Sequence, residues 1–165
     1  DIHTIGLNPK NPNHILVATG GHDFRLGKAP GRALYKSLDG GETWQPSGAN
    51  LDHEYSVPLV LDPSNPKVAF AGLAHGTPGM WRNRPDATIV RTTDGGETWQ
   101  QIGTDVPEFR QEMAIGLAVD PVEPRNVYAA LHDGQLLASA DGGDSWSKLP
   151  VRTSASPNSI QCVRE

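Results

Sequence analysis

The chain holds a single cysteine, Cys162, so no disulfide can form within it, and cysteine usage leaves the redox compartment open. Long apolar runs are missing as well. None approaches the ~18 residues a membrane-spanning helix needs, so no membrane span is expected. The first residues, Asp1-Ile2-His3-Thr4, show neither the basic stretch nor the apolar core of a signal peptide. Positive charge is not in excess. Fourteen Lys and Arg face nineteen Asp and Glu, for a formal net charge of -5, which speaks against a general binder of nucleic-acid phosphates. Apolar positions at helical spacing are absent over any useful length. What is abundant is Gly (18) and Pro (14), set at regular intervals between short apolar runs. That distribution describes many short strands joined by tight turns.

Two elements repeat. The first is Ser37-Leu38-Asp39-Gly40-Gly41-Glu42-Thr43-Trp44, which returns as Thr92–Trp99 and as Ser139–Trp146. The shared pattern is Ser/Thr-x-Asp-Gly-Gly-acid-Ser/Thr-Trp. The second is an Asx-Pro turn: Asn8-Pro9, Asp62-Pro63 and Asp120-Pro121, each followed by an apolar run. Every period holds one copy of each element and four short apolar runs, as a four-stranded propeller blade requires. Blade one is expected at 1–50, with strands at Ile2–Leu7, Ile15–Thr19, Ala33–Lys36 and Thr43–Gln45. Blade two is expected at 51–104, with strands at Ser56–Leu61, Val68–Gly72, Thr88–Arg91 and Thr98–Ile102. Blade three is expected at 105–152, with strands at Met113–Val119, Val127–Leu131, Gln135–Ser139 and Ser145–Leu149. Residues 153–165 read as a linker and one extra strand, Ser159–Val163. The fold class is therefore all-β: about three antiparallel blades of a β-propeller.

The chemistry of the first repeat is that of a turn. Asp accepts backbone N–H groups a few residues on, and Gly supplies the positive φ that other residues resist. The expected structural set is Ser37, Asp39, Gly41 and Trp44, with Thr92, Asp94, Gly96 and Trp99, and Ser139, Asp141, Gly143 and Trp146. Each Trp is positioned to fold back over its turn. A cation loop or catalytic carboxylate at these sites would require three equivalent sites, whereas each copy can satisfy its own backbone.

These segments resemble the Asp-box, or BNR repeat, of the sialidase-like superfamily, and the surrounding pattern spans essentially the whole chain. The nearest resemblance is to its bacterial glycosyl-hydrolase-like and photosystem II assembly-factor-like members. The resemblance implies a propeller and leaves function open, because the superfamily contains both hydrolases and binding proteins. Its sialidases carry an Arg triad, a Tyr–Glu nucleophile pair and a Phe/Tyr-Arg-Ile-Pro motif. Phe24-Arg25-Leu26-Gly27 resembles the last of these but lacks the Pro, and Glu54-Tyr55 is adjacent in sequence rather than a separate pair.

Antiparallel order puts the Asx-Pro turns and Asp-boxes at one end of every blade and the longer connections at the other. Binding residues concentrate on such loops. The candidates for ligand binding there are Phe24, Arg25, His53, Tyr55, His75, Trp81, Arg82, Arg84, Phe109, Arg110 and His132. Arg beside aromatic residues suits sugars, acidic ligands and protein hot spots. The expected function is non-catalytic binding of a protein, glycan or small ligand on this face. The alternative is a sialidase-like glycoside hydrolase using Asp23, Glu54, Asp86 or Asp133. No cofactor is expected. A His site from His22, His53, His75 and His132 is conceivable but lacks ligand spacing in sequence, so no metal is assigned. Propellers close with four to eight blades, so three call for further blades of a longer chain or for a homo-oligomer.

Overall fold

The computed structural model describes residues 1–20, 32–78, 85–154, 156–157 and 159–163. It contains three four-stranded antiparallel sheets, each in simple sequential order. Blade one is β1 (Ile2–Leu7), β2 (Ile15–Thr19), β3 (Leu34–Ser37) and β4 (Gln45–Pro46). Blade two is β5 (Tyr55–Leu61), β6 (Ala69–Ala74), β7 (Thr88–Thr92) and β8 (Gln100–Ile102). Blade three is β9 (Ala114–Val119), β10 (Val127–Leu131), β11 (Gln135–Ser139) and β12 (Ser147–Arg152). The strands β1, β5 and β9 lie side by side, so they form the inner edge from which the blades radiate. No helix among the described residues is long and apolar enough to cross a membrane.

Each fourth strand begins two residues later than the sequence pattern suggests: at Gln45, Gln100 and Ser147 rather than Thr43, Thr98 and Ser145. The cause lies in the Asp-box. Asp39 Oδ1 accepts the Thr43 N–H at 2.9 Å, and Asp94 and Asp141 hold the Thr98 and Ser145 N–H groups in the same way at 3.0 and 2.9 Å. Those residues belong to the turn and are withheld from the ladder. The box hydroxyl closes the other half. Ser37 Oγ donates to Asp39 Oδ1 at 2.7 Å and accepts the Gly41 N–H at 2.8 Å, and Thr92 and Ser139 repeat both bonds. Hydrogen bonds to the ionised form pull the Asp39 carboxyl down to about 2, the Thr43 hydroxyl being the largest cause, and hold Asp94 and Asp141 still lower.

The cores lie between blades rather than within one. Leu16, Leu34, Leu59, Leu73 and Trp99 fill the space between blades one and two. Phe70, Ile89, Ile102, Leu117, Val119 and Leu137 fill that between blades two and three. The second and third boxes are each docked on the preceding blade. Ser47 Oγ donates to Gly96 O at 2.6 Å and accepts Trp99 Nε1 at 2.9 Å. His14 Nε2 lies 2.8 Å from Gly95 O. Lys36 pairs with Glu97, and one repeat later Arg91 pairs with Asp144 at 2.9 Å while donating to Gly142 O at 2.8 Å.

Two sequence expectations are corrected. The link at 107–112 contains a short helix, α1 (Pro107–Gln111), with Pro in its first turn. The segment 159–163 forms no strand among its described residues. Ile160 instead lies over Gly116 of β9. A segment there packs on the face of its neighbour, not along its edge, so it gains no ladder of hydrogen bonds from β9.

Candidate functional site

The two connections at the end opposite the Asp-boxes meet at the junction of blades one and two. One is the β4–β5 link carrying Asp52, His53 and Glu54; the other is the β6–β7 loop carrying His75 and Asp86. Backbone bonds fix both. Ala33 N donates to His53 O at 3.2 Å, and His75 N donates to Pro85 O at 3.1 Å. Asp86 sits at φ 42°, in the left-handed region, the one non-glycine to do so among the described residues.

Side chains converge from both connections. The His53 and His75 rings stack with centroids 4.3 Å apart and planes 17° from parallel. Glu54 Oε2 accepts the Gly76 N–H at 3.0 Å and lies 3.3 Å from His75 Nδ1. Asp52 Oδ1 is 3.9 Å from His75 Nε2 and 3.3 Å from His53 Nδ1. The latter approach is out of line, so His53 Nδ1 is buried with no hydrogen-bond partner. Burial, and then the like charge of His75, push the His53 imidazole below its ordinary range, against the pull of Asp52, Asp86 and Glu54.

A cavity of about 240 Å³ adjoins this cluster, lined by Tyr55, Val57, Pro78, Met113, Ile115 and His132, with Ser156 and Pro157 from the terminal segment. Tyr55 follows directly on Glu54, and its hydroxyl is pushed above its ordinary range by burial. The cavity thus combines an apolar floor with one phenol and one imidazole at its margin.

Of the residues singled out from sequence, His53, Glu54, Tyr55, His75, Asp86 and His132 gather at this end. Asp133 is engaged elsewhere: Arg152 Nη2 donates to it at 2.5 Å, and its Oδ1 closes the β10–β11 turn on Gln135 N. Phe109 is not a surface residue. It is 2% exposed and meets Trp146 edge-on at 5.2 Å, because α1 turns it inward between blades two and three. Arg110, on the same helix, is exposed. Asp23, Phe24, Arg25, Trp81, Arg82 and Arg84 lie outside the described residues, as does His22. Asp52 and Met113 belong to the site but were not singled out. Asp52 could have been found from the run Asp52-His53-Glu54, whereas Met113 gives no local signal.

A larger cavity of about 480 Å³ opens at the Asp-box end, between the Asx-Pro turns of blades one and two and the second box. Its polar lining is largely occupied: Lys10 Nζ donates to Ser64 O, and His14 bonds Gly95 O. It is a seam between blades.

Comparison with known proteins agrees with this architecture. The model of the BNR/Asp-box repeat matches residues 35–46 and 90–101. A xyloglucanase of Acetivibrio thermocellus is 33% identical over 176 residues, which is 90% of this chain and 20% of that protein. A Paenibacillus xyloglucanase is 24% identical over 90% of this chain and 16% of its own length. The chain therefore spans about a fifth or less of these relatives. Among solved structures, the GH74 xyloglucanase of Xanthomonas campestris superposes with a TM-score of 0.67 at 17% identity, over 90% of this chain and 21% of the other. YCF48 bound to a D1 peptide superposes with a TM-score of 0.59 at 19% identity, over 90% of this chain and 39% of the other. The chain is a BNR/Asp-box-repeat β-propeller segment, similar over a fifth or less of their length to xyloglucanases and sharing its fold with GH74 and YCF48 structures.

Proposed function

We propose that this segment binds a glycan or protein ligand at its loop-bearing end and does not itself cleave it. The supporting observation is the cavity of about 240 Å³ beside Tyr55 and His132, with its apolar floor. Two of the four carboxylates suggested for hydrolysis are already engaged. Glu54 takes a backbone N–H and faces His75, and Asp133 is paired with Arg152. Xyloglucanases among the relatives favour a glycan of the xyloglucan class, while the peptide seen with YCF48 keeps a protein ligand as the second reading.

The test is calorimetric titration with xyloglucan oligosaccharides and, separately, with extended peptides, alongside an aryl-glycoside hydrolysis panel. Tyr55→Ala should weaken binding about tenfold, which is ~1.4 kcal/mol. Turnover that disappears in Glu54→Gln or Asp86→Ala would overturn the non-catalytic reading.

We infer that further blades complete a ring with these three. We favour blades other than a second copy of blade three. Glu42 occupies the box position of Glu97 and Asp144, which pair with Lys36 and Arg91 on the preceding blade. Blade three has Ala138 at that cation position, so it offers Glu42 no partner.

A further inference from the structure

We propose that Asp52, His53 and His75 form a site for one divalent transition-metal ion of the zinc class, with Glu54 as the positioning residue for His75. The ligand atoms of the three residues all lie within 4.8 Å of one another. A tetrahedral ion with bonds of ~2.0–2.1 Å holds its ligands about 3.3–3.4 Å apart. Asp52 Oδ1 is already 3.3 Å from His53 Nδ1 and 3.9 Å from His75 Nε2. To form a ligand shell the three atoms must close from within 4.8 Å to about 3.4 Å of one another, and one ring must turn.

Three further features support the assignment. A metal-bound His commonly turns its second ring nitrogen to a carboxylate, which fixes the ring and raises its basicity. His75 does this: Nδ1 lies 3.3 Å from Glu54 Oε2, itself anchored by the Gly76 N–H, leaving Nε2 directed towards Asp52. His53 Nδ1 is buried without a hydrogen bond, a condition that calls for an explanation, and an ion at this position supplies one. Imidazole with carboxylate also suits zinc and its neighbours better than calcium or magnesium, which prefer oxygen alone.

The stacked rings state what must move. Two parallel imidazoles cannot both aim at a shared ion, so one must rotate. Turning His53 about Cβ–Cγ breaks no hydrogen bond at Nδ1 and requires the ring to unstack from His75. The Asp52 side chain is 84% exposed and can turn inward without giving up packing. An ion held here would tie the β4–β5 link to the β6–β7 loop beside the cavity. The proposal does not depend on what that cavity binds.

The experiment is a titration of the metal-free chain with Zn²⁺ alone by calorimetry, and with Co²⁺ followed by its visible absorption. One saturable equivalent is expected, with a tetrahedral-type cobalt spectrum. His53→Ala and His75→Ala should each weaken binding by ~100-fold, and Glu54→Gln by about tenfold. Glu123→Gln, an exposed carboxylate elsewhere, should leave binding unchanged. Circular dichroism verifies the fold of each variant, and His53→Gln with Asp52→Asn replaces any that fails to fold. No saturable equivalent, or binding indifferent to both histidines, overturns the site. A Glu54→Gln loss as large as that of His75→Ala overturns the positioning role.

Discussion

Replacing Trp99 and Trp44 by alanine alters the same position of the same motif, yet the costs should differ widely. Trp99 is 3% exposed and Trp44 is 44% exposed. A buried Trp covers roughly 200 Å², and at about 25 cal/mol per Å² the Trp99 ring contributes ~5 kcal/mol. Its truncation also removes the Nε1 donor to Ser47 Oγ, although that hydroxyl keeps Gly96 O as its acceptor. The expected loss for Trp99→Ala is about 4–5 kcal/mol, within the range seen for large buried aromatics. Trp44 folds over its own turn, donating Nε1 to Gly41 O at 3.0 Å, and has no preceding blade among the described residues to pack on. Its burial is about half as great, and part of that contact persists locally in the unfolded chain, so Trp44→Ala should cost ~2 kcal/mol. Trp99→Phe keeps most of the ring and loses mainly the hydrogen bond, about 1 kcal/mol. Urea unfolding followed by circular dichroism measures all three. Equal losses at Trp44 and Trp99 would refute the claim that stability resides between blades.

Two further predictions rest on the same turns. The Asp-box carboxyls are lowered in the folded state, so they contribute stability that is complete above the unfolded carboxyl range and is lost as pH falls through the folded values. Asp39 sits at about 2, with Asp94 and Asp141 lower still. Urea midpoints should therefore hold level above about pH 5 and fall steadily from ~4 down to 2 and below. A flat acid limb, or one unchanged by Asp94→Asn, would contradict this. Gly41 and Gly143 share the positive φ, at 98° and 94°, so alanine at either adds ~1–2 kcal/mol of backbone strain. At Gly143 the new Cβ also meets Ile102 Cδ1 at 2.5 Å, whereas at Gly41 its nearest neighbour is the motif's own Trp44 at 3.6 Å. Thermal denaturation should show Gly143→Ala as the more damaging; the reverse order would contradict the docking of the third box on blade two.

The fold was legible because its signals are local. An Asp, two glycines and a Ser or Thr at fixed offsets define a turn by bonds that span at most four residues. Three copies of it set the blade period. The misjudged positions are those where one group claims a backbone that another needed. Asp39, Asp94 and Asp141 delay the fourth strands, and no strand pattern marks that delay. Phe109 read as a surface aromatic because a link between blades has no periodicity to show which way it turns. The helical turn after Pro107 decides the direction. Which end of the blades carries the longer connections followed from strand alternation. The adjacency of His53 and His75 did not, because it depends on how far two loops reach across the junction of two blades.

The repeat also shows why identical positions acquire unequal roles. The register of the inner hairpins makes Ile5 and Leu7 the counterparts of Leu59 and Leu61, and of Leu117 and Val119. Leu59, Leu117 and Val119 are each 7% exposed, because a preceding blade covers them, whereas Ile5 and Leu7 are 58% and 61% exposed. Trp44, Glu42 and Gly41 follow the same rule, lacking the neighbours that Trp99, Glu97 and Gly96 find on blade one. The motif therefore specifies a turn, and the blade before it determines whether that turn becomes part of a core. Each junction between blades encloses its own core, and the first also brings the β4–β5 link against the β6–β7 loop at the opposite end. The cores and the second and third boxes thus hold the junctions together, while the stacked His53 and His75 lie at the opposite end of the first junction.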